Sequence, residues 1–201
     1  MNLGELRTAL HRKTGIAVDT TALTEFVNEA VQAIGEERDW PWQDAVDSFT
    51  STGAEAYYLP SDYVRTRAVT VGSYPTNQIS LAAHDAYDTT YMPGALHTYT
   101  IEEGQLLIKP APASGTTVVH RYVAEETPLV ADTDEPLLPT RFHQAIVNYA
   151  SAIVLDRAGD EKRAASARLE YERWLKRMTD SMVRSQQTAR ITVRPGSAWG
   201  P

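Results

Sequence analysis

Five histidines, His11, His84, His97, His120 and His143, are the side chains best suited to hold a metal ion or move a proton near neutral pH. None stands at the spacing of a recognised metal motif from another His, Asp or Glu, so no metal centre is expected. His84, Asp85 and Asp88 lie together and offer either ligands for a hard cation or an acid-base pair. They fall in a polar stretch that reads as a loop, where solvated side chains are the ordinary occupants. Asp132, Thr133, Asp134 and Glu135 resemble part of a calcium loop, but the central glycine and terminal bidentate glutamate of an EF-hand are missing. This run reads as a charged linker before a helix. The sequence contains no Gly-rich phosphate loop followed by Lys, no dinucleotide fingerprint and no nucleophile elbow around a serine. It has no cysteine, hence no thiolate ligand, cysteine nucleophile or disulfide. Nothing in it nominates an enzyme, and no cofactor is expected.

Two further groups suit binding better than catalysis. Trp40, Trp42, Tyr57, Tyr58 and Tyr63 could stack on sugars or bases if exposed together, or seal the transition from helix to sheet if buried. Apolar bodies with polar tips favour the second role. Arg65 and Arg67 share one face of an expected strand and could meet an anionic partner, although charges are common on an exposed strand face.

The elements that must position these residues follow from periodicity. Leu3, Leu6 and Leu10 predict a short amphipathic helix closed by Gly15. A second helix is predicted to start at Asp19, Thr20 and Thr21, whose oxygens can cap it, and to bury Leu23, Phe26, Val27, Ala30, Val31 and Ile34 before Pro41 stops it. From Phe49 to Val123, short runs rich in Tyr, Val, Ile and Thr predict strands at Ala56–Leu59, Tyr63–Val71, Gln78–Leu81, Thr98–Ile101, Gln105–Lys109 and Thr116–Val123. Glu102, Glu103 and Gly104 predict a tight hairpin turn. Helical period returns with Phe142, Ile146, Tyr149, Ala150 and Ile153 on one face, and after Gly159 and Asp160 with Ala164, Ala167, Tyr171, Trp174, Leu175, Met178 and Met182. These last two helices should form an antiparallel hairpin.

The expected fold is therefore α+β. A helical bundle from the N- and C-terminal helices (1–45 and 128–186) carries an inserted small antiparallel β domain (46–127) and ends in an extended arm (187–201). The stretch from Gln186 to Pro201 lacks an amphipathic helical pattern and contains no acidic residue, yet it keeps Ile191, Val193 and Trp199 as hydrophobic handles beside Arg190 and Arg194.

The chain has 201 residues, enough for one domain with a small elaboration. Nineteen Lys and Arg against 26 Asp and Glu give a net charge of -7, the wrong sign for a protein that grips DNA by neutralising phosphates. Met1 to Lys13 lacks the apolar run of a secretory signal, and no window approaches the roughly 20 apolar residues of a membrane span. A soluble protein without a membrane partner is expected.

The order of four segments carries a resemblance. LTEFVNEAVQAIGEERDWPW at Leu23–Trp42, YYLPSDYVR at Tyr57–Arg65, YTIEEGQLLIKPAPASGTTVVHRYV at Tyr99–Val123 and EPLLPTRFHQAIVNYA at Glu135–Ala150 together resemble a tailed-bacteriophage head-to-tail adaptor, over roughly Ala22 to Arg184. The resemblance implies a virion neck protein, made in the host cytoplasm, that forms a ring of twelve copies beneath the portal. It implies contact with the portal protein ring above and the next tail or stopper component below, with double-stranded DNA passing through without specific binding. It also implies that the C-terminal segment reaches the portal, which makes Arg190, Ile191, Val193, Arg194 and Trp199 the expected portal-binding residues. A ring requires two unlike flanks on each copy, and an acidic wall would let a duplex slide past. The competing expectation is a carbohydrate-binding β module using the Trp and Tyr cluster; among virion proteins it is a stopper or tail-tube component.

Overall fold

A computed structural model of the chain describes residues 1–87 and 96–189, with side chains through Met182. Among the described residues there are five α-helices and two four-stranded sheets, a mixed α+β fold. The chain divides into two compact units: Met1–Glu37 together with the chain from Pro128 onward, and Arg38–Thr127.

In the helical unit, α1 (Leu3–Thr14) starts with a reciprocal cap. Asn2 Oδ1 accepts the Glu5 N–H at 2.9 Å, and Glu5 Oε2 accepts the Asn2 N–H at 3.2 Å. It ends where Gly15 takes a positive φ of 69° and donates its N–H to the His11 carbonyl. Leu3, Leu6 and Leu10 are wholly buried. Asp19 caps α2 (Thr20–Glu36) through the Ala22 N–H, and the buried residues of α2 are the six apolar side chains expected from its periodicity.

Helix α4 (His143–Arg157) departs from the expected one-sided pattern. It packs against α1, α2 and α5 (Glu161–Ala189), so Ala145, Ile146, Val147, Ala150, Ala152, Val154 and Leu155 are buried around most of its circumference. Phe142, Ile146 and Ala150 of the expected face are buried, whereas Tyr149 and Ile153 are only half-buried. A helix contacted on three sides leaves a single stripe open, and small residues at Ala145, Ala150, Ser151 and Ala152 let its neighbours approach closely. Phe142 itself belongs to a 3-10 turn, Thr140–Phe142, ahead of the helix. Gly159, at φ 77°, turns the chain, and Asp160 Oδ1 accepts the Arg163 N–H at 3.1 Å to start α5. Arg163 Nη2 then donates to the Lys13 and Thr14 carbonyls at 3.0 and 2.8 Å, placing a cation on the negative end of α1. Helix α5 runs on through Ala189, so 186–189 are helical where an extended arm was expected; the first breaker, Pro195, comes only later.

The β unit contains β1 (Asp44–Thr50), β2 (Ala56–Tyr58), β3 (Tyr63–Val71), β4 (Tyr74–Pro75), β5 (Asn77–Gln78), the short α3 (Leu81–Asp85), β6 (Thr98–Glu102), β7 (Gln105–Lys109) and β8 (Thr117–Ala124). One sheet has the order β1-β8-β3-β4 and the other β2-β7-β6-β5. Their inner faces meet in a core of Val69, Val71 and Val118 against Tyr99, Leu106 and Ile108, with Phe49 and Tyr57 at its margin. The hairpin from β6 to β7 turns on Glu103 and Gly104, both at positive φ (48° and 75°), the conformation of a two-residue type I′ loop.

Three expectations for this unit are corrected. The sheets are not wholly antiparallel, because β5 pairs parallel to β6. Thr76, whose N–H and hydroxyl both donate to the Val69 carbonyl, passes the chain from the edge of one sheet to the edge of the other, so β5 enters alongside β6 in the same direction. The strand expected at Gln78–Leu81 stops at Gln78, because Ser80 Oγ accepts the Ala83 N–H and starts α3. Strand β1 was not expected before Phe49. Its alternation breaks at the centre: Val46 faces out at 54% exposure while Asp47 is half-buried, which conceals the strand from a hydropathy reading.

Candidate functional site

The residues singled out for chemistry disperse into structural roles. Each of four histidines spends a ring nitrogen locally: His11 on the Ile16 carbonyl, His97 on the Pro110 carbonyl, His143 on the Leu138 carbonyl and His120 on the Thr66 hydroxyl. His143 Nδ1 also faces the Met1 amino group at 2.7 Å, which fits a neutral ring with the proton on Nε2. Burial pushes both His120 and His143 below the ordinary imidazole value. His84 is buried on α3 instead of solvated in a loop, with neither ring nitrogen hydrogen-bonded among the described residues; Asp85 is 3.7 Å from its Nδ1, and Asp88 lies outside the described residues.

The acidic run at 132–135 closes the start of α1. The carbonyls of Asp134 and Asp132 accept the Leu3 and Gly4 N–H groups at 2.9 and 3.1 Å. The Asp132 side chain pairs with Arg7. Asp134 Oδ2 accepts the Val130 and Ala131 N–H groups, which hold its carboxyl below the usual range. These oxygens are engaged by the chain itself in joining this linker to α1.

The five aromatics do not form one platform among the described residues. Trp40 is fully buried and stacks on Trp42 at 4.6 Å. Tyr57 packs on Phe49, Tyr63 lies beside His120 and Tyr122, and Tyr58 stands 83% exposed. Arg65 and Arg67 both meet Asp39, and Arg67 reaches Asp44 as well, so these cations are answered within the unit.

A groove lies along the uncovered stripe of α4. Tyr149 and Ile153, with Tyr171 and Leu175 of α5, line a groove of about 550 Å³ reaching to α2. Tyr149 and Tyr171 meet edge-on at 5.0 Å, and burial raises the pKa of both hydroxyls. The groove's rim is acidic. Asp156 is paired with Arg168 at 3.1 Å and the Arg157 guanidinium covers the Phe26 ring, but Glu29, Glu37 and Glu172 make no ion pair among the described residues. Such a surface is chemically complementary to an apolar segment carrying positive charge; among the described residues it holds no constellation of nucleophile, base and oxyanion donors.

A family model described as SU10 adaptor protein matches residues 1–196. The chain belongs to the SU10 adaptor family. SU10 adaptors are phage head-to-tail adaptors, a structural class and not an enzyme class, and membership makes this chain a component of the virion neck. No curated protein matches it in sequence. No described helix of this SU10 adaptor is long and apolar enough to cross a membrane. The residues expected to bind the portal, Arg190, Ile191, Val193, Arg194 and Trp199, lie outside the described residues. The groove was not anticipated from the sequence. Its signal was there in an α4 apolar on nearly every side, which implies neighbours on most faces, but which stripe stays open depends on where α2 and α5 sit.

Proposed function

We propose that this SU10 adaptor assembles as a twelve-copy ring beneath the portal, joins the capsid vertex to the next tail or stopper component, and lines the path of the genome. The family match across residues 1–196 carries this reading. Two compact units of different architecture give each copy unlike surfaces, as a head-to-tail ring interface requires. A net charge of -7 suits a conduit wall, since negative potential keeps the duplex from adhering. The C-terminal segment, which bears Arg190, Ile191, Val193, Arg194 and Trp199, is the element that reaches the portal, paying its ordering cost on docking. The dispersal of the aromatic side chains counts against the sugar-binding alternative.

The test is to mix the full chain with rings of the cognate portal protein and image the product by cryo-electron microscopy. A twelve-fold adaptor ring beneath the portal is expected. A chain truncated after Ala189 should melt at the unaltered temperature and fail to dock. Normal incorporation of that truncation into particles would remove the C-terminal segment from the account.

A further inference from the structure

We propose that the groove between α2, α4 and α5 is the seat for residues 190–194 of a neighbouring copy of this chain, a reading that rests on the ring assembly above. Three observations lead there. The first is an unmet hydrogen bond. Tyr171 is 8% exposed, lines the groove, and its hydroxyl has no partner among the described residues. Buried hydroxyls are nearly always satisfied, so an occupant that brings a carbonyl or a guanidinium fits the vacancy.

The second is complementarity. Tyr149, Ile153 and Leu175 give the groove an apolar floor; Glu29, Glu37 and Glu172 on its rim make no ion pair among the described residues, while the lining Arg168 and Arg157 are engaged by Asp156 and the Phe26 ring. Residues 190–194 read Arg-Ile-Thr-Val-Arg, and no acidic residue follows Asp180. In an extended chain Ile191 and Val193 point to one side and Arg190 and Arg194 to the other, which sets two aliphatic groups on the floor and two guanidinium groups within reach of the rim.

The third is reach, which decides between the chain's own segment and a neighbour's. Ala189 lies fourteen positions beyond Leu175 on α5, a rise of about 21 Å along the helix axis. Arg190 follows directly, so residues 190–194 of the same chain begin far beyond the groove. Only residues several positions later have the length to double back, and they lack the Arg-aliphatic-Arg pattern. A second copy has no such constraint. Trp199, five residues past Arg194 and thus up to about 17 Å further on, is left to anchor on the portal. The segment's work is thereby divided: its near half staples one copy to the next, and its tip meets the ring above.

Because the natural chain has no cysteine, introduced thiols report without background. Ile191→Cys is combined in one full-length chain with Glu172→Cys, or with Ile153→Cys as a second groove position. Each double variant is assembled on cognate portal rings and oxidised. The expected result is a ladder of disulfide-linked chains, at least tenfold stronger than from a control pairing Ile191→Cys with Thr8→Cys on α1. Rings that form normally but give no ladder above the control overturn the proposal and leave the ring reading intact. A disulfide closed within single chains also overturns it, by placing the segment in its own groove. If the wild-type chain forms no ring on the portal, the ring reading falls and the proposal with it.

Discussion

The helical unit and the β unit treat sequence distance and polarity differently. The helical unit is closed by contacts between chain segments far apart: Asn28 both donates to and accepts from the backbone of Leu129, 101 residues away, and Met1 meets His143. Its central helix is covered on three sides and open along one stripe. The β unit is knit from strands within one continuous segment, and the inner face of its first sheet changes character along its length. Val71 and Val118 give way to His120, Thr66, Tyr63 and Tyr122, tied by hydrogen bonds from Thr66 to His120 and from Tyr122 to Asp62. It also leaves Val46, Tyr58, Val64 and Tyr74 more than half exposed. The difference teaches that a helix enclosed by three neighbours leaves a lined groove along its open stripe, while paired short sheets do not gather their exposed side chains in that way. The helical core gathers Tyr149, Ile153, Tyr171 and Leu175 into a groove, although Val130 and Leu169 also stand exposed in that unit, whereas two short sheets leave apolar side chains on several outer faces and edges.

Five perturbations would sharpen or break this contrast. Ile146→Ala, at a wholly buried position on the enclosed α4, should cost roughly 3–5 kcal/mol by urea unfolding followed through the helical far-UV signal. Ile108→Ala, equally buried but between two small sheets that can close on the space, should cost nearer 2–3 kcal/mol. Equal losses would mean the two cores are equally rigid. Asn28→Ala strands both the N–H and the carbonyl of Leu129 and should cost about 2 kcal/mol; a change within error would show that water replaces the amide without penalty.

Trp174 lies on the α5 stripe expected to be packed, yet it is half-buried with the Arg177 guanidinium 4.9 Å from its ring centroid. Trp174→Ala should therefore cost about 1–2 kcal/mol, below the loss for a fully buried tryptophan; a larger loss in thermal melts would mean this part of α5 is covered. The gentlest effect is acid sensitivity, shared between the units. Burial depresses His120 and His143 below 6.5, so the unfolded chain takes up protons first as pH falls. Their contribution is whole above about pH 6.5 and is lost as pH drops through the folded-state values. Melting temperatures at pH 7.5 and about 5.5 should converge in His120→Gln and His143→Gln relative to the parent, while Asp47, which faces His120, softens the effect in the β unit. An unchanged pH dependence in both variants would place the acid response on the carboxylates instead.

Much of this architecture is visible before folding because it is local. A capping side chain, a glycine at positive φ and a 3.6-residue period act within a few residues, so α1, α2, the turn at Gly159 and the Glu103–Gly104 hairpin follow from adjacent chemistry. Strand β1 escaped because its outward Val46 and inward Asp47 reverse the usual alternation, which makes sense only beside β8. The candidate site escaped for a related reason. Tyr149, Ile153 and Tyr171 look like core residues in sequence, and they become a groove only through the placement of α2 and α5 around α4.

By itself the amino-acid order determined where α1 and α2 begin and end, which side chains are apolar enough to be buried, and, through four ordered segments, the family. Tertiary structure alone decided which stripe of α4 stays open, that one strand pair runs parallel, and that the acidic run at 132–135 caps α1. Local rules operate over a turn or two of chain, whereas burial is a property of neighbours that arrive from more than a hundred residues away.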